Sequence, residues 1–201
     1  MKHRIITINR LYGSNGRRIG KKLAARLGIH FYDKELIRLA SEKKDTPISY
    51  EELVELHEKR LSEWKDSVNV EQQIAPKFRY ESVNEVLFKE EQDVIKEIAQ
   101  REDAVIIGRC ANYFLEDQCR SVFVYASVED RIHNIMKRTS ADEKTARQLI
   151  KKMDKQRGNF YNYYTDEKWN DMQQYNLCID SGSFAEDEIV DIIVSMYEHM
   201  E

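Results

Sequence analysis

Hydrophobic and polar positions alternate along this chain in blocks with two distinct periods. Ile5-Ile6-Thr7-Ile8 is a β-branched run that reads as a strand. It flows through glycines at 13 and 16 into a stretch where Ile19, Leu23, Ala24 and Leu27 recur at helical spacing, and Gly28 supplies the stop. Ile29-His30-Phe31-Tyr32 is a short second strand, and Asp33 can cap a helix bearing Leu36, Ile37, Leu39 and Ala40. Thr46-Pro47-Ile48-Ser49 breaks the chain. Ser49 with Glu52 then forms a capping box for a helix whose stripe is Leu53, Leu56, Leu61 and Trp64. Residues 66–80 look irregular, and Val83, Val86, Leu87, Val94, Ile95 and Ile98 mark another long helix.

Two buried strands follow, Ala104-Val105-Ile106-Ile107 and Ser121-Val122-Phe123-Val124-Tyr125. A helix through Ile132, Ile135 and Met136 comes after the second. The next helix, about Asp142 to Gln156, holds Leu149, Ile150 and Met153 inside and many cations outside. Asn176 to Asp180 gives a fifth strand, and Glu186 to Met200 a closing amphipathic helix with Ile189, Ile192, Ile193 and Met196. Five strands alternating with helices predict an α/β protein with a parallel sheet covered on both faces and ligands at the strands' C-terminal ends.

Composition narrows the class. A chain of 201 residues with 2 Pro, 7 Gly, 34% charged and 41% hydrophobic residues fits one helix-rich domain, 1–201, with an inserted helical region over about 46–100. The net charge of −4 argues against a nucleic-acid polymer as partner and for a small anionic ligand. Cys110, Cys119 and Cys178 are odd in number and lack C-x-x-C spacing, so buried thiols in a reducing cytoplasm are expected. No apolar run approaches the ~20 residues that cross a bilayer, and Met1-Lys2-His3-Arg4 leads into a strand rather than a signal core, so no membrane role is expected. The five histidines show no metal spacing, which leaves zinc and hydrolase-triad readings without support.

The chemistry concentrates at Gly13-Ser14-Asn15-Gly16-Arg17-Arg18. Glycines let backbone N–H groups approach an anion, the helix N-terminus adds its dipole, and Arg17 and Arg18 add full charge. The match to the phosphate-loop pattern G-x-x-x-x-G-K-[ST] is incomplete. With Gly13 as the middle glycine, Gly16 stands where the lysine belongs. With Gly16 as the last glycine, Arg17 replaces the lysine, Arg18 the hydroxyl and Leu11 the first glycine. Either register leaves Mg²⁺ without its loop ligand. An ordinary strand-to-helix turn with solvated arginines is the competing explanation.

Other charged residues lie where strands end. Arg109 directly follows a strand and can meet a phosphate bidentately. Asp33 ends the second strand, where helix capping competes with substrate binding, and Arg38 lies one turn beyond Lys34 on the same helix face. Arg131, Arg147, Lys151, Asp154, Lys155 and Arg157 cluster around two helices and would suit a cationic lid over about 139–170, although charge runs are usually solvated faces. Phe160 to Tyr164 and Trp169 form an aromatic patch better suited to packing than to stacking a base.

Taken together, the segment 5–27, Tyr32-Asp33, Gly108-Arg109, Tyr125 to Arg131, Asp154-Lys155-Gln156-Arg157 and Leu177 to Ser181 resemble the cytidylate kinase-like family across nearly the whole chain. The resemblance implies a P-loop kinase-type three-layer fold with a five-stranded parallel sheet, helices on both faces and an inserted helical region. It also implies ATP as cofactor, with Mg²⁺ arriving largely through ATP, and phosphoryl transfer to CMP or a similar small phosphate-bearing acceptor. By the same resemblance Arg17, Arg131 and Arg157 would act on the transferring group, Gly13 to Arg18 would hold the donor, and Asp33, Arg38 and Arg109 the acceptor. Two departures stand out: the loop lacks lysine and hydroxyl, and Cys110 and Lys34 replace an aspartate and a serine of cytidylate kinases. A catalytically weak nucleotide-binding sensor of the same fold is therefore the alternative function. A nicotinamide enzyme fits poorly, because the glycine spacing is not G-x-G-x-x-G.

Overall fold

A computed structural model describes residues 3–33 and 83–200. The helices expected after Asp33 and after Ser49, the stretch 66–80, Lys34 and Arg38 lie outside the described residues. The chain divides into two compact units, one of Met1–Asp33 with Ile95–Glu201 and one of Lys34–Val94. The sheet and the candidate site belong to the first.

Five parallel strands run in the order β2-β3-β1-β4-β5: β1 is Ile5–Arg10, β2 His30–Tyr32, β3 Ala104–Ile107, β4 Cys119–Tyr125 and β5 Leu177–Asp180. The helices are α1 (Gly16–Leu27), α2 (Val83–Arg101), α3 (Ala111–Leu115), α4 (Val128–Thr139), α5 (Glu143–Thr165) and α6 (Glu186–Glu198). Strand alternation distributes β1 between two layers. Ile6 and Ile8 join Ile19 and Leu23 of α1 and Ile189 and Ile193 of α6 in one apolar cluster. Each such buried side chain contributes about 1.5–3 kcal/mol of burial free energy.

The opposite side of β1 is partly polar. Asn9 Nδ2 donates to Asn112 Oδ1 (3.0 Å), Asn112 Nδ2 to the Tyr161 hydroxyl (2.8 Å), and that hydroxyl to Gln174 Oε1 (3.0 Å). Trp169, buried edge-on to Phe123 at 5.5 Å between ring centroids, donates from Nε1 to Asn9 Oδ1 at 3.4 Å. Tyr161 and Trp169 of the aromatic patch therefore pack into the body, where burial raises the Tyr161 phenol. Cys110 and Cys119 are buried as expected, and burial lifts the Cys119 thiol to about 11. Cys178 departs from the expectation: it is only half-buried, because β5 is an edge strand and its register turns this side chain toward the rim.

Register at the end of β1 positions the site. Pairing with β3 ends at Ile8↔Ile107, while pairing with β4 continues to Arg10↔Val124. Gly108 N–H still donates to Ile8 O (3.0 Å), and there β3 leaves the sheet. Asn9 and Arg10 thus project past the end of their β3 neighbour, and a notch opens at the centre of the sheet's C-terminal edge, where such sheets bind ligands.

Candidate phosphate site at the end of strand one

The segment after β1 turns on left-handed residues, Gly13 at φ 87° and Asn15 at φ 60°, and enters α1 at Gly16 without a side-chain N-cap. Four carbonyls of this turn are bound by side chains of the surrounding body. Arg157 Nη1 donates to Arg10 O (2.9 Å), Arg131 Nη1 to Tyr12 O (3.4 Å), Asn134 Nδ2 to Gly13 O (3.0 Å) and Ser181 Oγ to Ser14 O (2.7 Å). Tyr12 N–H donates to Asp154 Oδ1 (2.6 Å), whose other oxygen accepts from Arg131 Nη1 (2.5 Å). Arg18 N–H already donates to Asn15 O (2.8 Å), so the donors that open α1 toward an anion are the N–H groups of Gly16 and Arg17, at the helix's positive dipole end.

Cations gather at the same place. Burial drives the Arg10 guanidinium down to about 9; neighbouring Arg157, Arg109 and Arg17 push the same way, and Asp33 pulls it back. Burial likewise lowers Arg157, against the raising fields of Asp154, Tyr12 and Asp33. The Tyr12 ring lies beneath the guanidinium carbons of Arg138 (5.2 Å) and Arg157 (5.4 Å), a cation–π arrangement that holds two more charges near the turn. Asp33, 12% exposed, pairs with Arg17 Nε at 2.5 Å. Arg131, 8% exposed, pairs with Asp154, yet its Nε is buried without a partner.

At the end of β3, Gly108, Arg109 and Cys110 are all left-handed, at φ 67°, 58° and 55°. The two non-glycine residues cost roughly 1–2 kcal/mol each in that region. Strain of this kind persists where surrounding structure requires it, and here it directs the chain at Arg109 around the notch.

The structure therefore brings Gly13, Ser14, Asn15, Gly16, Arg17, Asp33, Arg109, Arg131 and Arg157 to one end of the sheet. Arg18 goes elsewhere: it pairs with Glu186 at the start of α6, beside Lys22–Asp187 (3.1 Å) and Arg26–Asp191 (2.8 Å). Arg38 lies outside the described residues. The Ser14 hydroxyl points into the fold, donating to Leu11 O (2.9 Å) and Val124 O (3.0 Å). The region expected as a lid is a long helix, α5, docked on the turn through Asp154 and Arg157; it continues nine residues past Gln156. Arg147, expected among the lid cations, is bound by Glu143 one turn earlier at 2.9 Å.

Sequence reasoning passed over Arg10, which reads as the last residue of a strand. The available signal was the register that puts Gly16 where a phosphate loop carries lysine, which requires the charge to come from another position. Nucleotide phosphates fit the set: a turn of backbone donors and a surplus of buried cations. A chain-held Mg²⁺ does not. Positions 17 and 18 are arginines, the Ser14 hydroxyl is consumed, and the described residues contain no group of three His, Cys, Asp or Glu side chains able to hold a metal. No described helix is long and apolar enough to cross a membrane.

Known proteins resemble this chain in sequence and in fold. A cytidylate kinase from Archaeoglobus fulgidus is 32% identical over 107 residues, a match that covers 51% of this chain and 58% of that one. An uncharacterized protein from Eubacterium ventriosum superimposes with TM-score 0.69 at 27% identity, covering 98% of this chain and 99% of its own. A shikimate kinase from Bacteroides thetaiotaomicron shares the fold with TM-score 0.52 at 15% identity, over 98% and 99% of the two chains. Its α/β fold is thus that of the P-loop kinases, and, with the family's pattern matching residues 5–183, the chain belongs to the cytidylate kinase-like family.

Proposed function

We propose that this protein is a nucleotide kinase-like phosphotransferase that moves the γ-phosphoryl group of ATP to CMP or a similar small phosphate-bearing acceptor. The observation that carries the reading is the surplus of desolvated arginines around a left-handed turn that opens a helix, at the centre of the sheet's C-terminal edge. Transfer breaks the bond from the γ-phosphorus to the β-bridging oxygen and forms one to an acceptor oxygen, with charge spread over the equatorial oxygens. No covalent enzyme intermediate is needed. The residues here act by holding both partners in line and neutralising that charge.

In this reading the N–H groups of Gly13, Asn15 and Gly16 cradle the donor phosphates, with Ser14 bracing the turn. Arg17, aimed by Asp33, adds charge at the helix N-terminus. Arg109 meets the acceptor phosphate, while Arg157 and Arg131 hold the turn's carbonyls and contribute charge from the α5 side. Because the described side chains offer a metal no set of ligands, no step is assigned to a chain-bound cation. Arg18 has no part in the site, being committed to α6.

One observation favours the alternative of a nucleotide-binding sensor: in the register where Arg17 and Arg18 replace the usual loop residues, both are already engaged, Arg17 by Asp33 and Arg18 by Glu186. An ATP-to-ADP turnover assay with Mg²⁺ across CMP, dCMP, UMP, AMP and GMP, paired with calorimetric ATP titration, separates the two. Acceptor-dependent turnover is expected. Saturable ATP binding without turnover on any acceptor would replace the kinase reading with the sensor reading.

A further inference from the structure

Arg10 occupies space that two missing side chains leave. A Cβ at Gly16 would lie 2.6 Å from Arg10 Cβ and 3.2 Å from its Cγ, so the arginine's stem runs through the volume a side chain at position 16 would fill. A Cβ at Gly108, itself left-handed at φ 67°, would lie 2.6 Å from Arg10 Nη1. The side chain thus crosses the notch from the first residue of α1 to the end of β3. Its Nε is buried and has no hydrogen-bond partner. Asp33, the acid among the described residues whose field reaches it, is already bound to Arg17.

A desolvated guanidinium with an orphan donor and no counter-ion costs several kcal/mol unless something compensates it. Packing could have been supplied at lower cost by a methionine or leucine of similar length. An anion between the turn and Gly108 would satisfy both the charge and the orphan N–H. Resting on the phosphotransferase reading, we propose that Arg10 is the phosphoryl-contacting cation of this site: it reaches from the donor turn to the acceptor end at Gly108-Arg109 and supplies from β1 the charge that position 16 does not. Gly16 and Gly108 are the two openings that let it lie there.

The lowered guanidinium pKa agrees with a charge held ready for an anion, since a bound phosphate would restore it. The geometry also separates Arg10 from Arg17, whose head is 63% exposed and ion-paired. Among the described residues, the charged groups that act on Arg10 are Arg157, Arg109, Arg17 and the occupied carboxylate of Asp33.

The test compares wild type, Arg10→Met and Arg10→Lys in three measurements: ATP and inorganic pyrophosphate titration by calorimetry, turnover with the acceptor panel, and thermal melting without ligand. Arg10→Met is expected to lose roughly 10²–10³-fold in kcat, the scale for removing one group that stabilises transition-state charge. ATP and pyrophosphate affinity should fall about tenfold or more, while the ligand-free melting temperature holds or rises, because an uncompensated buried charge has been removed. Arg10→Lys should restore charge but not the forked reach, and recover only part of the turnover.

A melting temperature that drops with affinity and kcat unchanged would make Arg10 a packing residue and overturn the inference while leaving the kinase reading intact. Wild type that binds neither ATP nor pyrophosphate would overturn that reading, and this inference with it. Should Arg10→Met fail to fold, Arg10→Lys decides alone: full wild-type kcat and affinity in it would exclude a forked phosphoryl contact.

Discussion

The outer face of α1 and the notch at its N-terminus use the same residue type in opposite ways. Along the outer face, Arg18, Lys22 and Arg26 meet Glu186, Asp187 and Asp191 of α6, Lys22 reaching both Glu186 and Asp187, with cation side chains 65%, 43% and 56% exposed. In the notch, Arg10 and Arg157 are desolvated, Arg131 is 8% exposed, and Asp33 and Asp154 are the carboxylates that face them. Exposed balanced pairs contribute little to stability and carry no information about ligands. Buried unbalanced ones are a standing electrostatic cost, and such a cost points to an absent partner.

The strongest way to break this contrast is Asp154→Ala. It removes the acceptor of Tyr12 N–H and the counter-ion of Arg131 together, and a denaturant melt should show a loss of about 3–5 kcal/mol. A loss below about 1 kcal/mol would place Arg131 in the same class as the outer ladder. Next in size, Arg109→Ala should mainly weaken use of the acceptor and Arg17→Ala mainly weaken ATP binding, each by about ten- to a hundredfold, or roughly 1.4–2.7 kcal/mol. Steady-state kinetics with each substrate varied reads the split, and equal, negligible effects would sink the site assignment.

A smaller effect sharpens the comparison from the β2 edge. Glu102 there accepts from Tyr32 (2.9 Å), Arg101 (2.5 Å) and His30. Burial pushes its carboxyl up, but these partners outweigh burial and hold it down at about 2. Because the folded value lies below the unfolded one, the contribution is fully present above the unfolded pKa and is lost as pH falls through about 2. Glu102→Gln should therefore cost about 1 kcal/mol near neutrality, with the gap from wild type closing as the pH drops from about 4.5 toward 2. The smallest effect belongs to the ladder: Arg26→Ala should shift stability by less than about 0.5 kcal/mol and leave turnover unchanged.

Local pattern carried most of the fold. Ala104–Ile107 emerges with the bounds its β-branched run predicts, and Gly28 stops α1 as a left-handed cap. α5 runs past its expected end near Gln156, because burial of Tyr161 and Thr165 carries the helix on to its left-handed cap at Asp166. The site was legible as residue types near strand ends and illegible as pairings. Nothing near Arg18 announces Glu186, 168 positions away, and nothing near Arg10 announces Gly108. Such partnerships arise from register, in this case from β3 ending two residues short of β1.

The steric trade between positions 10 and 16 also constrains how this loop can change by descent. A lysine gained at 16 collides with the arginine stem already there, and a glycine gained at 10 removes the guanidinium that crosses the notch. Each single step toward the common loop passes through a worse protein, so the two positions are locked to one another. A lineage that has adopted this solution returns to the ordinary one only by changing both at once.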